Sequence, residues 1–340
     1  MKTLRVIGIA IAILSLAATF AGAGTETRLG TSGASELRIP VGVRGIALGG
    51  ADIASVTGAE AMFYNPAGIA GTENKTELQF SNTQYIADMK LNYFAVSQNL
   101  GNLGFVGFSA KVLSIGDITY TTETAPDGTG EVFSPTFSTL GLTYARAMTD
   151  RVNFGGTIYY VAERILQETA AGVAFDFGFQ YDTGYRGAKL GLSMKNFGPA
   201  QNFTGSDFER NLRLPEDDPQ AGNRTVALGT AEYELPSYFT AGASLPLVQG
   251  TNTLTAHVLY ASNSFGVDDG RIGVEWSWRG DVSLRAGYKL TSSDDDLFDV
   301  SYGAGFRVPV GSSHLTVDYA GQRVSDFFDD VQHVGVGFTF

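Results

Sequence analysis

The stretch Asp281–Thr291 alternates without a break. Val282, Leu284, Ala286, Tyr288 and Leu290 hold one phase, while Ser283, Arg285, Gly287 and Lys289 hold the other. A period of two sends successive side chains to opposite faces of a strand, so each strand of this kind has one apolar and one polar face. Arg271–Arg279 repeats the pattern, with Ile272, Val274, Trp276 and Trp278 set against Gly273, Glu275 and Ser277. In His314–Tyr319, Leu315, Val317 and Tyr319 alternate with His314, Thr316 and Asp318. A soluble sandwich alternates in the same way, so the number, length and spacing of the segments must decide between architectures.

Fourteen segments qualify: 76–85, 91–99, 103–113, 135–147, 152–163, 168–181, 187–197, 235–246, 252–262, 271–279, 281–291, 299–309, 313–321 and 331–340. Most are near the roughly 9–11 residues that a tilted strand needs to cross a bilayer. Connections after even-numbered segments are short, as at Leu100–Asn102, Thr149–Asp150, Gly280 and Val310–Ser312. Those after odd-numbered segments include two long ones, Ser114–Ser134 and Gly198–Glu234. Short turns on one side and long loops on the other are the pattern of outer-membrane barrels, and an even count places both ends on the short-turn, periplasmic side. In lipid every backbone polar group must be paired, which leaves helices and closed barrels as the only spanning folds. The fold class expected is all-β, a 14-stranded antiparallel transmembrane β-barrel.

Both termini support export. Lys2 and Arg5 precede an apolar run, Val6–Ala18, and Ala21-Gly22-Ala23 offers small residues for cleavage. This is the layout of a secretory signal peptide, and the run is too short to span as a helix. At the other end Val334, Val336, Phe338 and Phe340 share a face. A final amphipathic strand ending in Phe resembles the signal read by the barrel assembly machinery, which makes Phe338 and Phe340 the expected assembly signal. The division expected is a signal peptide over 1–23, an N-terminal hatch segment over 24–75 and a barrel over 76–340, placed in the outer membrane and surrounded by its lipid.

Composition narrows the function. Charged residues make up only 17% of the chain and the formal net charge is -12. Nucleic acid is therefore a poor partner, since phosphate backbones call for Lys and Arg. With no cysteine and three histidines (His257, His314, His333), neither a metal site nor a cofactor is expected. No Gly-x-Ser-x-Gly elbow occurs, and the chain reads as a non-enzyme. Glu163, Asp176, Lys189, Lys195, Glu275, Arg285, Lys289, Arg307 and Asp318 fall on polar phases, which in a barrel point into the lumen. There they pair with one another or line a solute path, and Arg285 and Arg307 are candidate ligand contacts. Acidic runs at 216–218, 268–269, 294–296 and 329–330 fall in outer loops and lack the EF-hand pattern.

Residues 41–71 are rich in small residues, with Gly42, Gly45, Gly49, Gly50, Gly58, Gly68 and Gly71. No phosphate-loop pattern occurs there. A compact segment of this kind ahead of the first strand fits inside a lumen, its glycines letting backbone approach the wall. Residues 51–62 suit a short helix. Asn65-Pro66-Ala67-Gly68 suits a turn, with Pro fixing φ and Gly supplying a positive one. Met62, Phe63 and Tyr64 offer an apolar surface to the wall or to a ligand.

Two runs, Gly42–Ala51 (GVRGIALGGA) and Ala61–Gly68 (AMFYNPAG), resemble the N-terminal signature of the PorV/PorQ family, which is related to FadL-type fatty-acid channels. Leu235–Gly242, Leu284–Tyr288, Val317–Ala320 and His333–Phe338 extend the resemblance over most of the chain. It implies a 14-stranded barrel with an N-terminal hatch. It implies two functions: binding or passing hydrophobic small molecules through the plugged lumen, or acting in type IX secretion by binding exported cargo or translocon proteins.

Overall fold

The computed structural model describes residues 28–212, 224–291, 297–324 and 328–340. The expected signal peptide and the acidic runs at 216–218 and 294–296 lie outside these residues. Fourteen strands form one closed antiparallel barrel. They are β1 (Thr76–Gln84), β2 (Lys90–Asn99), β3 (Phe105–Ser114), β4 (Thr136–Thr149), β5 (Val152–Ile165), β6 (Glu168–Asp182), β7 (Lys189–Phe197), β8 (Tyr238–Val248), β9 (Asn252–Asn263), β10 (Asp269–Trp278), β11 (Val282–Thr291), β12 (Phe298–Val310), β13 (Ser313–Val324) and β14 (Val331–Thr339). Each pairs with its neighbours in sequence, and β1 pairs with β14 from Glu77↔Thr339 to Gln84↔Gln332. Thr76 and Phe340 exchange both backbone hydrogen bonds, at 2.8 and 3.0 Å, and complete the seam.

The two faces of the wall sort as the alternation requires. On β5, Gly155, Thr157, Tyr159, Val161 and Glu163 are buried inward, while Phe154, Ile158 and Tyr160 are exposed outward. Leu142, at the middle of β4, is 66% exposed. So large an apolar outer surface is stable only against hydrocarbon. Phe338 and Phe340 sit on that outer face, their rings 5.5 Å apart. His314 is exposed near the short-turn end.

The long connections carry structure of their own. Ile118–Thr119 pairs with Val132–Phe133, and Glu209–Leu212 pairs with Arg224–Ala227. Phe203–Thr204 pairs with Thr169–Ala170, because β6 parts from β7 near its outer end. There Asn196 turns to a φ of 55°, its N–H donates to Asp176 Oδ1 at 2.7 Å, and its side-chain amide donates to the Pro236 carbonyl at 3.2 Å.

Residues 41–71 fill the lumen. They contain a short helix α1 (Val43–Ala47), a 3-10 turn at Gly58–Glu60, a helix α2 (Ala61–Tyr64) and a 3-10 helix at Pro66–Gly71. The helix expected over 51–62 is therefore confined to its end. The turn expected at 65–68 instead opens a 3-10 helix, with the Asn65 side chain accepting from Ala67 N–H as its cap. Gly68 has no positive φ; it is glycine for space, since a Cβ there would lie 2.3 Å from the Val56 carbonyl oxygen.

An arginine in place of Leu142 would face the hydrocarbon midplane, at a cost of about 2–4 kcal/mol. Urea unfolding in lipid vesicles should show a loss of that order for Leu142→Arg. Thr143→Arg, on the lumen side, should not follow the same dependence on bilayer thickness.

Candidate functional site

The N-terminal segment meets the wall at pairs of glycines that face each other across neighbouring strands. Gly155 on β5 is the register partner of Gly178 on β6, and Asn65-Pro66-Ala67 lies against them. A Cβ on Gly155 would sit 2.6 Å from the Pro66 carbonyl, and one on Gly178 would sit 2.1 Å from Asn65 Oδ1. Gly191 and Gly242, partners on β7 and β8, lie under Ile53 and Ala54. Gly273 and Gly287, partners on β10 and β11, lie under Leu48 and Gly49. Each pair removes two side chains from the same spot on the inner wall, which lets backbone pack on backbone.

Backbone so placed must have its polar groups paired. The wall supplies the donors. Gln180 Nε2 donates to the carbonyls of Ile53 at 3.0 Å and Val56 at 2.9 Å. Tyr159 donates to Met62 O at 3.0 Å, and Lys195 donates to Phe63 O. Lys111 donates to the carbonyls of Glu36 and Ile39, each at 2.6 Å. Asn65, fully buried, donates to Ile53 O at 2.9 Å and across to Phe179 O on the wall at 3.1 Å.

A chain of ion pairs fixes the segment from its other side. Asp318 accepts from Arg285 at 2.5 Å, Arg285 donates to Glu275 at 2.9 Å, and Arg44 of the segment joins Glu275 at 2.9 Å to Asp52 at 2.6 Å. Arg285 is thus committed to the wall network. Arg307 is exposed toward the short-turn end of β12, away from the segment's outer surface. Lys189 is half-buried at the same end of β7. Of the histidines, His333 bonds Thr83 at 2.7 Å and His257 lies 3.4 Å from Ser55, both as buried packing groups.

Above the segment, toward the long loops, lies a cavity of about 260 Å³. Its floor includes Ile46, Gly49, Gly50, Phe63 and Tyr64, and its roof includes Arg38, Ile39 and Pro40. Of the three residues singled out in the sequence, Phe63 and Tyr64 line it. Met62 instead packs against Gly107 on the wall. A wider recess of about 540 Å³ lies on the outer rim among Gln84, Asp88, Lys90, Ser114, Gly116 and Asp117; its lining is polar or glycine, and it does not enter the lumen. The glycine pairs, Gln180, Tyr159 and Arg38 carry no short motif. The glycines, Gln180 and Tyr159 are marked only by their inward phase on a strand, and Arg38, in the 3-10 turn Ser35–Arg38, lacks even that.

The roof is tied down at several points. Ser32 bridges Glu234, Gly33 N–H donates to Glu234 O at 3.1 Å, and Arg38 donates to Asn263 Oδ1 at 2.9 Å. Glu36 is only 3% exposed, and neither of its carboxyl oxygens has a hydrogen-bond partner among the described residues. Burial, with Glu163 adding, raises its carboxyl above the free value. Burial, with Asp52 adding, raises Glu60 likewise, against the opposing pull of Arg44 and the Gly45 N–H.

No protein-family model and no curated protein matches the sequence. Solved structures do match in fold. The toluene transporter TodX of Pseudomonas putida superposes with a TM-score of 0.56 at 13% identity, covering 88% of this chain and 97% of that one. The monoaromatic hydrocarbon channel CymD gives 0.54 at 12% identity, covering 88% and 97%. The toluene transporter TbuX of Ralstonia pickettii gives 0.52 at 10% identity, with the same coverage. The chain therefore shares its architecture with outer-membrane hydrocarbon channels over nearly all of its described length.

Replacing Gly155 by valine should overpack the seat of Pro66 at a cost of about 1–3 kcal/mol, whereas Gly156→Val points outward and meets nothing closer than 3.5 Å. Hydrogen exchange should rise across 41–71 in the first variant and stay unchanged in the second, with both barrels still formed.

Proposed function

We propose that the chain is an outer-membrane channel for small hydrophobic solutes, with residues 41–71 as the hatch that closes its lumen. The cavity on the outer face of that hatch carries the reading. Its lining includes the apolar side chains of Ile39, Ile53, Phe63, Leu259 and Phe298 among polar and charged ones, and a solute entering between the long loops meets it before the hatch. Its volume lies just under the roughly 300–1,000 Å³ of ordinary ligand pockets. The shared architecture with hydrocarbon channels supports the same reading. In it the Asn65-Pro66-Ala67-Gly68 element is the hatch's principal seat, Phe63 and Tyr64 are ligand contacts, and Phe338 and Phe340 serve the assembly machinery. The N-terminal resemblance to the PorV/PorQ family supports the second reading, a type IX secretion component that binds cargo or translocon partners. That reading needs the barrel and its loops but no solute path.

In planar bilayers the intact chain should conduct little, and deletion of residues 41–71 should produce larger or noisier currents, since all fourteen strands lie downstream. Uptake of a hydrophobic solute into proteoliposomes should exceed that into protein-free vesicles. A deletion that conducts no more than the intact chain, together with no uptake, would remove the channel reading and leave the secretion one.

A further inference from the structure

Phe63 stands between two spaces. On one side is the cavity of about 260 Å³ above residues 41–71. On the other is a pocket of about 20 Å³ against the inner wall of β2 to β7, with room for little more than one water molecule. Among the described residues, Phe63 and Lys195 line both, so the partition consists of those two side chains. They are fixed differently. Lys195 donates to the Phe63 carbonyl and lies 3.5 Å from the fully buried Asp176. The Phe63 ring is held by its neighbours alone. It stands edge-on to the Tyr64 ring, 5.1 Å away, with the Lys195 ammonium 3.8 Å and the Lys111 ammonium 5.1 Å from its centre. Ammonium groups at these distances are attracted to the ring and fix its place.

The ring can be removed without undoing a hydrogen bond. Tyr159 holds the backbone of α2 at the Met62 carbonyl and Lys195 holds it at the Phe63 carbonyl, and a smaller side chain keeps both contacts. Lys111 likewise keeps the carbonyls of Glu36 and Ile39. Behind the ring, Leu37, Tyr93 and Tyr159 give the pocket an apolar face beside Ser109 and Thr139. A solute in the upper cavity that extends toward this wall meets the ring and stops. Each further methylene stays outside and forgoes the roughly fourfold gain in affinity that burying one brings.

Resting on the channel reading above, we infer that Phe63 sets the length of hydrophobic solute that the cavity accepts, its ring acting as the stop between cavity and pocket. Packed interiors yield little, so a ring seated between a wall and its neighbours is a fixed boundary. Tyr64 does not share this role, because it lines the cavity and not the pocket. Leu37 is the converse case: it is 4% exposed and lines the pocket and not the cavity, so the ring lies between it and any bound solute.

The test is equilibrium dialysis of the full chain in lipid nanodiscs against labelled straight-chain alcohols from butanol to dodecanol, with protein-free nanodiscs subtracted. For the intact chain, affinity should rise with each carbon and then level off at a limiting length. Phe63→Ala should raise that limit by about two carbons or more, so that the longest alcohols bind about tenfold tighter than to the intact chain. Phe63→Leu, which keeps more of the packing, should raise it by less. Leu37→Ala enlarges only the hidden pocket: alone it should leave the limit where it is, and combined with Phe63→Ala it should raise the limit further than Phe63→Ala does. Heat-modifiable migration on gels confirms that each variant has formed its barrel. A limit that Phe63→Ala does not move, or that Leu37→Ala moves equally with and without the ring, overturns the inference and leaves the hydrophobic channel standing. No binding of any alcohol to the intact chain or its variants overturns both this inference and the channel reading.

Discussion

Inside a bilayer there is no water to take up a loose N–H or C=O, and the rest of this structure follows from that. The sheet closes, β1 onto β14, and Phe340 meets Thr76 so that the seam has no free edge. Closure with fourteen strands leaves an interior too wide for wall side chains alone to fill. The N-terminal segment fills it and brings the same problem inward, because irregular backbone at membrane depth also needs partners. Gln180, Tyr159, Lys195 and Lys111 answer it by donating from the wall to its carbonyls.

Ion pairs run through the lumen at both levels. Toward the short turns, Arg44 and Arg285 alternate with Asp52, Glu275 and Asp318, so residues 41–71 are held to the wall by a chain of ion pairs. Removing one member would leave its partner buried and unpaired, which costs far more than an intact pair gains. Toward the long loops Arg271 pairs with Asp269 and Lys195 with Asp176, while Arg38 rests on the Asn263 amide and the Tyr238 ring.

The barrel was legible because its signal is local. Alternation in Asp281–Thr291 assigns Arg285 and Lys289 to the lumen without any knowledge of their neighbours, and the turn lengths order the fourteen strands around the ring. The segment 41–71 was legible only in kind. Its small residues announced close approach, but not the wall on which that approach occurs. Gly68 shows the limit: the turn pattern called for a positive φ, and the structure instead keeps it glycine because the Val56 carbonyl leaves no room for a Cβ. The helix expected over 51–62 shrank for a related reason. Asp52 and Ile53 are drawn to Arg44, Asn65 and Gln180, and those tertiary bonds outweigh local preference.

By itself, then, the sequence determined the strand count, the faces of each strand and the presence of a small-residue insert. Each depends on spacings of a few residues, which the backbone period converts directly into geometry. Tertiary structure alone decided which glycines sit opposite one another, as Gly155 does Gly178. It alone brought Arg38 beside Tyr238, 200 positions away along the chain. Those contacts join residues far apart in sequence, and their register is fixed only when the barrel closes around the segment it holds.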